Sequence, residues 1–239
     1  MHKAAASSLV VLSFSAFAAN GIELDGSSKS DVHDEPFGIT EIVAPDDLTW
    51  DKLRKLRADI RAVLPKLAQC HKNLDDCTVA ERRFESIVRE AESHRGLAQI
   101  YVVNSMINVA IRYTPDMKQW GVRDHWSAPI DSNKLGSFDT GVGDCEDYVI
   151  AKYIALRQVG IAGADMRIVL LRDNFFNADH AILTVRSEGR WRILDNRWDT
   201  LYDDEDNILK RRFEPLTIID TRGVELVVKF FRLNDWKKK

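Results

Sequence analysis

Gly141-Val142-Gly143-Asp144-Cys145-Glu146-Asp147 runs straight into an apolar-periodic stretch that continues through Tyr153 and Leu156, so its cysteine falls at the first turn of a helix. Backbone N–H groups at a helix start have no intrahelical partner and carry partial positive charge, which favours a thiolate. Asp144, Glu146 and Asp147 act the other way, because carboxylates beside a thiol raise its pKa. A bound cation would reconcile the two fields. Hard oxygen donors on a short segment select Ca2+ over zinc, since the one soft ligand nearby is the thiol itself. Cys145 is therefore read as a nucleophile with Asp144, Glu146 and Asp147 as metal ligands. The plainer alternative makes it a small core residue and the acids a favourable helix start.

Beyond this helix, which Gly160 should end, the period changes from helical to extended. Residues 166–172, 180–186 and 190–196 are rich in Ile, Val, Leu, Thr and Trp, and a last run, 224–233, has the same character. If Glu188-Gly189 is a two-residue turn, Ser187 faces Arg190, Ile182 faces Asp195, and His180 lies diagonal to Asp195 on one face. A slip of one residue would send Asp195 to the other face. An imidazole that takes a proton from sulfur needs such a carboxylate to hold its tautomer. Asp179 and Asp199 are rivals for that role.

Upstream, Leu53, Leu56, Ile60, Val63 and Leu67 mark a helix within 47–67, and residues 76–111 read as one or two more, with Phe84, Ile87, Val88, Ile100, Val103, Ile107 and Ile111 on the buried stripe. A loop carrying Trp120, His125 and Trp126 leads from Pro115 to the glycine-rich approach to Cys145; long loops in compact domains are often functional. Trp120 and Trp126 are candidate donors to a reaction oxyanion, though tryptophans there commonly serve packing. Asp203-Asp204-Glu205-Asp206-Asn207 reads as a solvated acidic loop.

The 239 residues hold 34 Lys and Arg against 37 Asp and Glu, a balance that argues against nucleic acid or anionic lipid as a partner. The first 18 residues read as a signal peptide: His2 and Lys3, an apolar core from Leu9 to Phe17, and Ala16-Phe17-Ala18 as a small-x-small cleavage site. Residues 19–35 form a lead-in poor in apolar side chains, followed by one domain over 36–239, with a helical lobe at about 46–113 and a catalytic α/β part at about 114–236. No later segment is apolar for long enough to span a membrane. In an exported, oxidising compartment, Cys70 and Cys77, separated by the turn Asn73-Leu74-Asp75-Asp76, are expected to pair, leaving Cys145 as the odd thiol.

Gly143-Asp144-Cys145-Glu146-Asp147-Tyr148, Ala151-Lys152-Tyr153, Ala178-Asp179-His180-Ala181-Ile182-Leu183 and Leu194-Asp195-Asn196 together resemble the bacterial transglutaminase-like cysteine proteinases, in particular their periplasmic adhesin-cleaving members. The resemblance spans about residues 104–198. It implies an α+β, papain/transglutaminase-like fold with a helical lobe against an antiparallel sheet. It also implies a Cys145-His180-Asp195 triad and dependence on Ca2+ through Asp144 and Glu146. The implied substrate is the N-terminal region of a large surface adhesin, whose cleavage disperses a biofilm. The implied restraint is an inner-membrane cyclic di-GMP receptor with a periplasmic domain. Ala181 stands where the family commonly has Met, a departure expected to touch pocket packing more than the triad. Acyl transfer to an amine, and an inactive calcium-bound interaction module, are the rival functions.

Overall fold

The structure, a computed structural model, describes residues 35–39 and 46–221. The expected signal peptide, most of the lead-in, the run at 224–233 and the basic C-terminal end lie outside the described residues.

Three helices come first: α1 (Asp47–Lys72), α2 (Val79–Glu92) and α3 (Gly96–Ala110). Their starts follow from local chemistry. Asp46 accepts the Thr49 N–H at 2.7 Å ahead of α1, and Thr78 and Glu81 bond reciprocally ahead of α2, at 3.2 and 2.8 Å, each satisfying donors a helix start leaves unpaired. Every residue of the expected apolar stripes is buried. A disulfide joins Cys70 to Cys77 across the α1–α2 turn, the pairing expected from the sequence.

After α3 comes a piece the sequence reading did not anticipate. Strand β1 (Arg112–Tyr113) pairs in parallel with β2 (Val142–Gly143), with Tyr113 opposite Gly143. Between them lie the short helices α4 (Asp116–Gln119) and α5 (Ser137–Thr140). Strands of two residues carry no period, so only tertiary pairing reveals them.

Helix α6 (Cys145–Gln158) follows at once, and its residues from Glu146 to Leu156 are buried. It packs on α2, α3 and the sheet, which is why it is not amphipathic like a surface helix. The chain leaves it through Gly160 at φ 95°.

The sheet contains β3 (Met166–Asp173), β4 (Ala178–Ser187), β5 (Arg190–Leu194), β6 (Tyr202–Asp203) and β7 (Phe213–Asp220), in the order β6-β5-β4-β3-β7, every neighbour antiparallel. Glu188 and Gly189 both have positive φ, 55° and 75°, the geometry of a type I′ hairpin turn. Ser187 consequently faces Arg190, and the ladder runs to Leu183 opposite Leu194, the expected register. One face of the sheet packs Ile168, Leu183, Val185 and Leu194 with the helices. The other packs Val169, Leu171, Ile182, Ile193 and Ile218 with Leu209 of α7 (Asn207–Arg212). Alternation of period two divides one sheet between these two layers.

Two expectations are corrected. Strand β7 went unread because Pro215 interrupts it; as the edge of the sheet among the described residues it tolerates a residue without an N–H. The acidic loop is not simply solvated: Asp204 is buried and accepts the Phe37 N–H at 2.7 Å, while Asp206 caps α7 through the Ile208 and Leu209 N–H groups.

Candidate active site

Cys145 is the first residue of α6 and is half-buried. Gly143 lets this turn close: a Cβ there would lie 2.7 Å from Asp147 Oδ2 and 2.8 Å from Asp147 Cβ. Asp147 in turn accepts the Asp144 N–H at 3.2 Å and the Ser127 N–H and Oγ–H at 3.2 and 2.7 Å. It therefore fixes the helix start and ties it to the preceding loop.

Helix α6 lies against β4, and the Ala181 backbone N–H is close enough to the Cys145 sulfur to favour its charged form. The residue before Ala181 is His180, whose Nε2 lies 3.1 Å from Asp195 Oδ2. Asp195, fully buried, follows the last residue of β5. Burial alone would raise its pKa, but His180 and then Arg197 hold it well below the usual carboxylate range. An ionised Asp195 only accepts, so Nε2 carries the imidazole proton and Nδ1 offers its lone pair. The rivals face elsewhere: Asp179 pairs with Arg172 at 2.8 Å and is exposed, and Asp199 accepts Asn108 Nδ2 at 3.0 Å. From α3, Asn108 also donates to the Asp195 carbonyl at 3.1 Å, and Asn104 to those of Trp198 and Asp199 at 3.2 and 3.0 Å. The helical region thereby holds the loop that carries Asp195.

The acidic side is concentrated. Sets of three potential ligand atoms within 4.8 Å of one another come from Asp144, Cys145 and Glu146; from Asp116, Asp144 and Asp147; and from Asp116, Asp124 and Glu146. Asp116 and Asp124 were missed in the sequence because each is an isolated acid with no spacing that links it to the start of α6. Asp116 opens α4, and its N–H reaches Asp144 Oδ2 at 3.2 Å, while its Oδ2 accepts the His125 N–H. The other oxygens of Asp116 and Asp144, both Oδ1, are buried without a hydrogen-bond partner. Burial first, and the neighbouring carboxylates with it, push Glu146 up to about 10 and Asp116 to about 6, and raise Asp144. Burial and then Glu146 and Asp144 raise the Cys145 thiol well above its ordinary value; the thiol donates to Glu146 Oε2 at 3.1 Å.

Oxygen donors gathered within 4.8 Å of one another suit Ca2+, whose ligand oxygens sit at about 2.3–2.6 Å from the ion. The two unpartnered oxygens supply an independent reason for an ion there, since buried acceptors otherwise stay paired. Both oxygens of Asp147 already accept protein hydrogen bonds, which suits it to holding the helix start.

Trp126 is buried in the core. Trp120 stacks near His125, with centroids 4.8 Å apart. Tyr113, absent from the sequence-based set, has its pKa raised by partial burial first and then by the charges of Cys145, Asp144 and Glu146.

Among solved structures the chain is similar to Legionella pneumophila LapG, at 21% identity and a TM-score of 0.52, over 65% of this chain and 83% of that one. An EGTA-treated form of LapG gives 21% and 0.52 over 65% and 82%. A calcium-bound form gives 21% and 0.49 over 71% and 83%. At this identity the likeness speaks for the fold. A comparison with curated proteins gives no match. The family description "bacterial transglutaminase-like cysteine proteinase" matches residues 65–207, a stretch that contains Cys145, His180 and Asp195 and more than half of the sequence. The chain therefore belongs to the bacterial transglutaminase-like cysteine proteinases.

Proposed function

We propose that this chain is a calcium-dependent periplasmic cysteine endopeptidase that cleaves the N-terminal region of a large surface adhesin, releasing it and dispersing a biofilm. The observation that carries the reading is the meeting of three segments. The start of α6 brings the sulfur to the Ala181 N–H, and the adjacent His180 is bonded to Asp195 at 3.1 Å. In this reading His180 Nδ1 takes the Cys145 proton and the sulfur attacks the scissile carbonyl. The Cys145 N–H and the Tyr113 hydroxyl steady the oxyanion. The imidazolium then protonates the departing amine, and a water activated by the same nitrogen hydrolyses the thioester.

Asp116, Asp144 and Glu146 would hold the calcium ion, with Asp124 on the rim and Asp147 behind them. Bound there, the ion supplies positive charge that offsets the carboxylates now opposing a thiolate. Two further parts of the reading rest on the resemblance of the sequence motifs. They are export through residues 1–18 and restraint by an inner-membrane cyclic di-GMP receptor.

The test incubates the purified chain with a recombinant adhesin N-terminal fragment, with and without chelator, and reads products by mass spectrometry. New termini at one site, lost in C145A and in chelator, are expected. An amine adduct or covalent dimer without new termini would establish acyl transfer instead. Processing at the normal rate by C145A would remove Cys145 as the nucleophile, and no product from the wild-type chain with calcium present would leave a non-catalytic module.

A further inference from the structure

Asp195 is gripped from its far side as well. Arg197 Nη2 lies 2.7 Å from Oδ2 and Nε 3.1 Å from Oδ1, while the Arg197 backbone N–H reaches Oδ1 at 3.0 Å. The guanidinium thus lies flat against the carboxylate in the two-pronged arrangement that fixes its plane. Its remaining nitrogen, Nη1, donates to Asp173, a buried residue that Arg212 holds through Nε at 3.0 Å and Nη2 at 2.8 Å. Charges alternate along Arg212, Asp173, Arg197 and Asp195, ending at the imidazole of His180. Aromatic rings enclose the chain: Trp198, Phe176 and Phe213 lie 5.0, 5.6 and 5.6 Å from the Arg197 guanidinium carbon.

We infer that Arg197 is a positioning residue for the reaction, clamping the Asp195 carboxylate so that the lone pair left on Oδ2 is aimed at His180 Nε2. The inference rests on the triad reading above and adds a member that touches neither substrate nor sulfur. A carboxylate held by one imidazole alone could turn about its Cβ–Cγ bond and release the ring to either tautomer. Held by the fork, it keeps the proton on Nε2 and the base at Nδ1. Asp173 and Arg212 keep the fork from swinging out to solvent.

The test compares R197Q, R197K and D195N with the wild type in the full chain. Ring 15N resonances of His180, assigned by difference with H180Q and recorded without substrate, report its tautomer. The wild type should show two well-separated nitrogens. R197Q should draw them together as D195N does, and kcat on the adhesin fragment should fall about 10- to 100-fold, the range seen when a partner orienting a functional ligand is lost, with KM nearly constant. R197K, which restores charge but not the fork, should stay impaired. Wild-type spectra and kcat in R197Q, or full recovery in R197K, would overturn the clamp while D195N still moves the spectra. Wild-type spectra in D195N would overturn the triad, and the clamp with it. A fall in kcat that merely tracks loss of folded protein by circular dichroism, with unaltered spectra, would reduce Arg197 to a structural role.

Discussion

At the scale of single residues, the site sets groups of opposite need side by side. Lys152, two turns into α6 from Cys145, is fully buried, and among the described residues its amine has no hydrogen-bond partner, while the Tyr148 ring lies 5.8 Å away. Burial pulls its pKa down to about 7, partly offset by Asp195 and Asp199. K152M should therefore raise stability by about 1–3 kcal/mol, the usual cost of burying an unpaired polar group, read as a higher melting temperature. A lower one would mean that the amine supports the Asp195 loop. Tyr113 offers a separate test. If its hydroxyl serves the oxyanion, Y113F should lower kcat by about 10²–10³ and leave the melting temperature in place. Unchanged kcat in Y113F would return the second donor to the backbone or to another side chain.

At the scale of elements, the start of α6 depends on a contact rather than on propensity. G143A would drive a methyl group into Asp147 near its backbone, where the nearest atoms stand 2.7 and 2.8 Å away. The cost should be about 1–3 kcal/mol, typical of overpacking. Activity should fall with it, because the same turn carries Cys145; full activity in G143A would show that the turn can shift freely. Much at this scale was legible beforehand. The stripes of α1, α2 and α3 announce themselves by period, and the Glu188-Gly189 turn fixes by parity which face Asp195 shares with His180. What escaped notice has no local signature: the two-residue pair β1 and β2, the edge strand broken by Pro215, and Arg197, whose partners are 2 and 24 residues away. Asp116 and Asp124 were invisible for the same reason, since a donor set assembled from a loop and a helix start shows no spacing.

For the whole molecule, the buried acids make pH and divalent cation a single variable. Burial raises Asp116 to about 6 and Asp147 to about 7. A carboxyl group whose folded pKa exceeds its unfolded one contributes stability that is complete below about pH 4 and lost as pH rises through the folded value. In chelator, the acidic site should therefore weaken the fold progressively from about pH 4, through the values of Asp116 and Asp147 and on toward about 10 for Glu146, visible as a falling melting temperature. Calcium should recover much of that loss near neutrality, because an ion bound to the folded state alone stabilises it by mass action. Melting curves that overlay with and without calcium at pH 7 would count against the ion site.

The bridge between Cys70 and Cys77 leaves Cys145 as the free thiol. A thiol-reactive fluorophore applied without reductant should therefore attach at one position per molecule. The labelled fraction then counts the molecules whose Cys145 remains unoxidised, which sets an upper bound on the working sites over which turnover is to be divided.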